Sequence, residues 1–130
     1  MKRWAYEGDG VACPVLKAAV SDPTGKSSAE VLVRVDTGFS GGLLISLDDY
    51  LRLRLQEFEK PRSDYFARTA QGVTVSVRSS RGVLTLDGES SECSIYTTPL
   101  LLRALLGREV LNRWKVTLDG PEKELSVELG

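Results

Sequence analysis

The pattern that most constrains the fold of this chain is a series of short apolar segments in which hydrophobic and polar residues alternate. Val31, Val33 and Val35 share one face of a predicted strand over Ala29–Val35, because side chains two apart in a strand point to the same side. Four further stretches have strand-like composition: Val11–Val20, Asp64–Thr98, Trp114–Leu118 and Leu125–Leu129. Segments this short need neighbouring strands to be stable, which favours a mainly-β fold.

Turn-forming residues separate these segments. The stretch Ser21–Ser28 (SDPTGKSS) is dense in such residues and predicts a hairpin loop. Tight turns are predicted at four pairs: Gln71-Gly72, Arg81-Gly82, Asp87-Gly88 and Asp119-Gly120. The chain is therefore expected to form one domain over residues 1–130, a β-barrel or folded sheet with one or two short helices.

Two segments have helical signals. Ser46 followed by Asp49 is typical of a helix start, and the apolar spacing of the next dozen residues predicts a helix that Pro61 ends. The stretch Leu100–Trp114 (LLLRALLGREVLNRW) is also helical in composition, with a break at Gly107.

Composition excludes several classes of function. The 17 basic and 18 acidic residues give a formal charge of −1, which offers no basic surface for nucleic acid. No apolar run approaches the roughly 20 residues that span a bilayer, and the N-terminus lacks the apolar core of a signal peptide. We therefore expect a cytoplasmic protein that binds neither membrane nor nucleic acid, in which Cys13 and Cys93 are small buried residues.

The chain contains no histidine. Ser-His-Asp triads, Cys-His pairs, histidine general bases and His-ligated zinc are all excluded, and two cysteines make a thiolate metal site a poor candidate. Catalysis would have to use carboxylates, Lys, Tyr, hydroxyls or backbone groups.

The stretch Val35–Ser46 (VDTGFSGGLLIS) supplies such groups. It ends a β-branched strand with Asp36-Thr37-Gly38 and then returns to apolar residues. Two interpretations are open. The triplet is either a turn whose glycine has a positive φ angle or part of an active site.

The segment from Val31 to Ser46 resembles the active-site strand and loop of retropepsin-like aspartic proteases, the clan of the retroviral proteases and their relatives. Leu101–Leu111 (LLRALLGREVL) resembles the family's Gly-Arg stretch, where a strand passes into a short helix, and Thr69–Gly72 (TAQG) lies where the family has its flap. The resemblance implies a retropepsin-type barrel with an active-site loop at 35–42, a flap at about 64–78 and a Leu-Leu-Gly-Arg segment at 105–108. The two alternating segments after Arg113 predict a C-terminal hairpin at 114–129.

By this resemblance the protein is an aspartic endopeptidase without a metal or other cofactor. The family holds two carboxylates about 3 Å apart that share one proton, and uses them to activate water. The chain has a single Asp-Thr-Gly, so the resemblance implies a C2 homodimer that brings two copies of Asp36 together. Thr37 would bond across the axis, and Gly38 would let the backbone approach a peptide substrate.

The resemblance also implies roles around this centre. Ala70, Gln71 and Gly72 would form the flap tip over the substrate, whereas Gly107 and Arg108 would support the loop. Phe39 and Ser40 would contact substrate, but they depart from the family. Phe39 replaces a small residue, and Ser40 replaces the acid that pairs with the family's arginine. Glu109, which follows Arg108, is no evident substitute for that acid.

Two alternatives remain open. One is a retropepsin-fold module that dimerises or binds peptides without cleaving them, because folds outlive functions. The other is an unrelated β-barrel ligand binder in which Asp36 caps a turn. The C-terminal hairpin also extends beyond the single strand of the retroviral enzymes, so the dimer sheet would differ, with Trp114 at the interface or in the core.

Overall fold

The computed structural model describes residues 1–8, 10–59, 65–68, 74–99 and 103–130. In these ranges most residues lie in strands, as the sequence predicts. The strands are β1 (Lys2–Ala5), β2 (Val15–Ser21), β3 (Ser28–Val35), β4 (Leu43–Ile45), β5 (Tyr65–Arg68), β6 (Thr74–Leu86), β7 (Glu89–Thr97), β8 (Leu105–Leu106), β9 (Trp114–Asp119) and β10 (Glu124–Leu129). The helices are α1 (Leu47–Arg52), a 3-10 turn (Leu55–Phe58) and α2 (Arg108–Leu111).

The strands form two sheets. A seven-stranded sheet has the order β2-β3-β8-β4-β7-β6-β5, and an additional pairing between β2 and β6 folds it back on itself. A three-stranded sheet has the order β1-β10-β9, so the first and last strands of one chain pair with each other. The expectation of a folded, mainly-β barrel is confirmed.

The β2–β3 hairpin follows the predicted alternation. Val31, Val33 and Val35 are at most 9% exposed, whereas Leu32 on the other face is 42% exposed. The buried Asp22 carboxylate organises the connecting loop by accepting hydrogen bonds from Thr24 and from the Ser27 N–H at 2.7 Å. Burial opposes ionisation of this carboxyl, but these hydrogen bonds outweigh it and lower its pKa. The regular strand begins at Val15 rather than Val11.

The predicted turn at Arg81-Gly82 is wrong, because β6 runs through both residues. A glycine is needed at position 82 for lack of space, because a Cβ there would lie 2.2 Å from the Ile95 Cδ1 atom and 2.9 Å from the Ser21 carbonyl oxygen. The glycine therefore marks a close approach between strands. The turn at Asp87-Gly88 is confirmed, with φ angles of 51° and 81° that suit a two-residue hairpin.

The first predicted helix is shorter than expected. Ser46 caps it as predicted, since its Oγ accepts the Asp49 N–H at 3.1 Å, but α1 ends at Arg52. Arg54 has a left-handed backbone (φ 59°), and a 3-10 turn follows. Burial of Leu53 and Leu55 on the core explains why tertiary packing overrides the continuous helical pattern here. Pro61 lies outside the described residues.

The helical prediction for Leu100–Trp114 is wrong at Leu105 and Leu106 and holds after Gly107. Leu105 and Leu106 form β8, which pairs in parallel with β3 and antiparallel with β4. Only the residues after Gly107 form a helix, α2, which is the strand-to-helix order that the family resemblance implies. The C-terminal hairpin β9–β10 is confirmed, and Trp114 packs partly buried against the core.

The described ranges contain no helix that is both long and apolar enough to cross a membrane.

Candidate active site

Asp36 lies where β3 ends and the chain leaves the seven-stranded sheet. Its backbone N–H continues the β3–β8 ladder by donating to the Leu106 carbonyl oxygen at 3.0 Å. Its side chain accepts the Gly38 N–H on Oδ1 at 2.9 Å, and its carbonyl oxygen accepts the Phe39 N–H at 3.2 Å. The half-buried carboxylate is therefore held in one orientation at the surface, with Thr37 and Gly38 exposed beside it.

Gly38 does not adopt the positive φ angle that the turn interpretation expects. A Cβ at this position would instead lie 3.2 Å from Asp36 Oδ1, so the glycine leaves room for the carboxylate to reach the Gly38 N–H. The glycine therefore lets the Gly38 N–H fix the orientation of the Asp36 side chain.

Three consecutive N–H groups after β8 hold the rest of the loop. Gly107 donates to the Gly42 carbonyl oxygen at 2.9 Å, Arg108 to that of Phe39 at 2.8 Å, and Glu109 to that of Gly41 at 3.3 Å. The start of α2 therefore satisfies the carbonyl groups of a chain that would otherwise have no sheet partner. This explains why the Gly-Arg segment accompanies Asp-Thr-Gly although the two are far apart in sequence.

Arg108 makes a further contact with the loop. Its Nη1 donates to the Thr37 carbonyl oxygen at 3.2 Å. Ser40, which stands where the family has an acid, is exposed. The Arg108 guanidinium thus contacts the loop backbone in place of a carboxylate. This contact fixes the orientation of the Thr37 carbonyl group, next to Asp36.

Phe39 packs within the loop. Its ring meets the Tyr96 ring edge-to-face, with centroids 6.0 Å apart. A Cβ at Gly41 would lie 2.6 Å from both rings, and a Cβ at Gly107 would lie 2.6 Å from Phe39 Cδ2. The two glycines therefore make the space that the larger side chain of Phe39 needs.

Glu109, to which the sequence analysis gave no role, is tied to β7 by its carboxylate. Its Oε1 accepts the Ser94 N–H of β7 at 2.7 Å, and its Oε2 lies 3.5 Å from Arg81 Nη1. Strand β4 begins only at Leu43, opposite Ile95, so β4 provides no partner for the Ser94 N–H. The Glu109 carboxylate takes that place beneath the loop. No local pattern reveals this, because Ser94 and Glu109 come from separate elements.

Cys93 lies next to this cluster and is fully buried. Burial, reinforced by the nearby Glu109 carboxylate, raises the pKa of the Cys93 thiol to about 12. The thiol is therefore protonated at neutral pH and packs as a small apolar residue, as expected from the sequence.

We predict that Glu109→Ala lowers the free energy of unfolding by about 1–3 kcal/mol, because it leaves the half-buried Ser94 N–H without a partner. Glu109→Gln should lose less, since the amide oxygen can still accept that bond. Chemical denaturation measures both. Glu57→Ala, which removes an exposed ion pair with Arg54, is the control and should change stability by less than about 1 kcal/mol. An equally small effect of Glu109→Ala would contradict the prediction.

The structure brings Asp36, Thr37, Gly38, Gly107 and Arg108 together at one point. Phe39 and Ser40 follow directly in the same loop. The predicted flap-tip residues Ala70, Gln71 and Gly72 lie outside the described residues, so their role stays a prediction.

Comparison with known proteins identifies the fold. No family model matches the chain, and no curated protein matches it by sequence. Among solved structures, a retropepsin-like aspartic protease from Rickettsia conorii matches with a TM-score of 0.63 and 17% identity, covering 95% of this chain and 86% of that one. EIAV protease, in a complex with the inhibitor HBY-793, matches with a TM-score of 0.59 and 15% identity over 82% of this chain and 91% of that one.

The retroviral protease-like domain of Ddi1 from Leishmania major gives a third match, with a TM-score of 0.52 and 15% identity over 88% of each chain. Structural matches at such low sequence identity establish the fold. They do not establish the reaction, which has to be argued from the residues of the site. The resemblance in the sequence is confirmed at the level of fold, which is retropepsin-like.

Proposed function

We propose that this chain, which has a retropepsin-like fold, is a homodimeric aspartic endopeptidase that hydrolyses peptide bonds with two Asp36 carboxylates, one from each subunit. The observation that carries the proposal is the Asp36 carboxylate itself. It is held by the Gly38 N–H on Oδ1 at the surface of a loop that six further hydrogen bonds, five from backbone N–H groups and one from Arg108 Nη1, fix in place. No described residue donates a hydrogen bond to Oδ2, which leaves that oxygen for water or substrate.

The chemistry follows from pairing two such loops. Two carboxylates within hydrogen-bond distance share one proton, because both cannot be ionised so close together. The ionised carboxylate removes a proton from a water molecule that attacks the peptide carbonyl, and the protonated one donates to the carbonyl oxygen. The amine leaves after it takes up a proton, so the reaction needs only water, peptide and the two acids.

A single chain supplies only half of this centre. Asp36-Thr37-Gly38 is the one Asp-Thr-Gly in the sequence. The Asp-Gly pairs Asp9-Gly10, Asp87-Gly88 and Asp119-Gly120 lack the hydroxyl residue, and the last two join paired strands. A second copy is therefore required. The sheet β1-β10-β9 ends in two edge strands, β1 and β9, and an edge strand can pair with a strand of another chain.

The test is a peptidase assay on purified protein over a range of protein concentrations. We expect cleavage of a degenerate peptide pool that a statine-type inhibitor blocks, with activity per chain rising as sedimentation detects dimer. Peptide binding without turnover would instead support a non-catalytic peptide-binding module. A monomer at micromolar concentration with no activity would support a ligand-binding barrel in which Asp36 only orders a turn.

A further inference from the structure

A hollow with two arginines lies on the outer face of β3, close to Asp36. It has a volume of about 360 Å³, and its walls include Leu32 and Arg34 of β3 together with Arg103 and Ala104. The apolar side chains of this hollow exclude part of the solvent, which strengthens any charge interaction inside it.

The alternation of β3 aligns the hollow with Asp36. Val33 and Val35 are buried, so Arg34 faces the opposite side of the strand. Asp36 is two residues after Arg34, so it continues on the same side of the strand. Its N–H donates to the Leu106 carbonyl oxygen and thereby extends the pairing of β3 with β8 by one residue. Two residues of extended chain span about 7 Å, so the hollow lies one or two substrate residues from a peptide bond held at Asp36.

No ion pair among the described residues offsets the positive charges that line the hollow. Within the ranges that the structure describes, neither Arg34 nor Arg103 has a carboxylate within ion-pair distance. Glu7 also lines the hollow and likewise has no ion-pair partner there, so among the described residues of the lining two guanidiniums stand against one carboxylate. A half-buried arginine without a partner is a site that a carboxylate ligand can complete with paired hydrogen bonds.

We propose that this hollow binds an acidic side chain of the substrate, so that the protein selects peptides with Glu or Asp within two residues of the bond placed at Asp36. This inference rests on the proposed function, because it names the class of peptide that the same site would bind. Binding of a neutral residue would leave two guanidiniums partly desolvated and unpaired, and this cost creates the selectivity.

The experiment separates binding from cleavage. Two degenerate octapeptide pools, identical except for Glu or Gln at one fixed position, are captured on immobilised Asp36→Asn protein and quantified by mass spectrometry. Every protein in the series carries Asp36→Asn, so neither cleavage nor the charge of residue 36 differs between them. We expect about tenfold enrichment of Glu over Gln at one or two adjacent fixed positions, and a decline in this ratio as salt rises.

Arg34→Met with Arg103→Met should bring the Glu-to-Gln ratio close to one, because methionine keeps the apolar stem and removes the charge. Lys26→Gln removes a positive charge from the exposed β2–β3 loop and is the matched control, which should keep the enrichment. Thermal unfolding checks each variant. If the double variant does not fold, Arg103→Met alone should still lower the ratio, since this residue is exposed.

Absence of Glu enrichment on the parent protein, or its persistence without the two arginines, overturns the inference. Failure of the proposed function looks different. The wild-type protein would then bind Glu peptides through the hollow and cleave none of them.

Discussion

Asp36→Asn is expected to reduce peptide cleavage by at least about 10³-fold while the protein keeps its fold and its dimer. Asparagine retains the shape of the side chain and an oxygen that can accept the Gly38 N–H, which the carboxylate accepts at 2.9 Å. It cannot remove a proton from water or share one with a second carboxylate. The loss should therefore appear in kcat/KM for every peptide, with the unfolding midpoint nearly unchanged.

Mixing the two proteins gives a sharper result. If each active centre needs one Asp36 from each subunit, equal amounts of wild-type and Asp36→Asn chains assort into wild-type, mixed and mutant dimers, and only the first is active. After subunit exchange, the activity from a fixed amount of wild-type chain should then fall to about half. Thr37→Ser, mixed in the same way, is the control, because it supplies a competent carboxylate.

A mixture that keeps the full wild-type activity would mean that one chain carries a complete centre, and the dimeric mechanism would be wrong. Full activity of Asp36→Asn in a preparation free of other peptidases would remove Asp36 from the chemistry altogether.

Local signals in the sequence sufficed for parts of the fold whose causes are local. The valine alternation of β3, the Ser46 cap and the Asp87-Gly88 turn each depend on residues a few positions apart. The loop that carries Asp36 belongs with these, because the bond from the Gly38 N–H to the Asp36 carboxylate closes over two residues.

The errors have long-range causes. Leu105 and Leu106 have strong helix propensity, but in the barrel they occupy a strand between β3 and β4, where burial outweighs propensity. Gly82 suggested a turn and instead marks contact with Ser21, which is distant in sequence. The same limit applies at the site. The Glu109 contact with the Ser94 N–H depends on where β4 begins, and nothing near either residue encodes it.

Gly107→Ala is expected to destabilise the protein by about 3 kcal/mol, because the methyl group has no space beneath the loop. A Cβ at Gly107 would lie 2.2 Å from the Gly41 carbonyl oxygen and 2.7 Å from that of Phe39. Both are backbone atoms, so no side-chain rotation relieves the overlap. The φ angle of −106° is open to alanine, which makes space the sole cause.

Gly120→Ala is the matched control. Gly120 lies in the β9–β10 loop, has no positive φ angle, and a Cβ there would meet no atom within 4 Å. Alanine at this position should leave the free energy of unfolding within about 1 kcal/mol of wild type or raise it, because it restricts the unfolded chain. Chemical denaturation of both variants gives the comparison.

To relieve the overlap, Gly107→Ala must also move β8 away from the loop and break the three N–H bonds that hold the loop. Peptidase activity should therefore fall in the protein that remains folded. Equal stability of the two variants would show that the loop and β8 are not in the close contact on which this geometry of Asp36 depends.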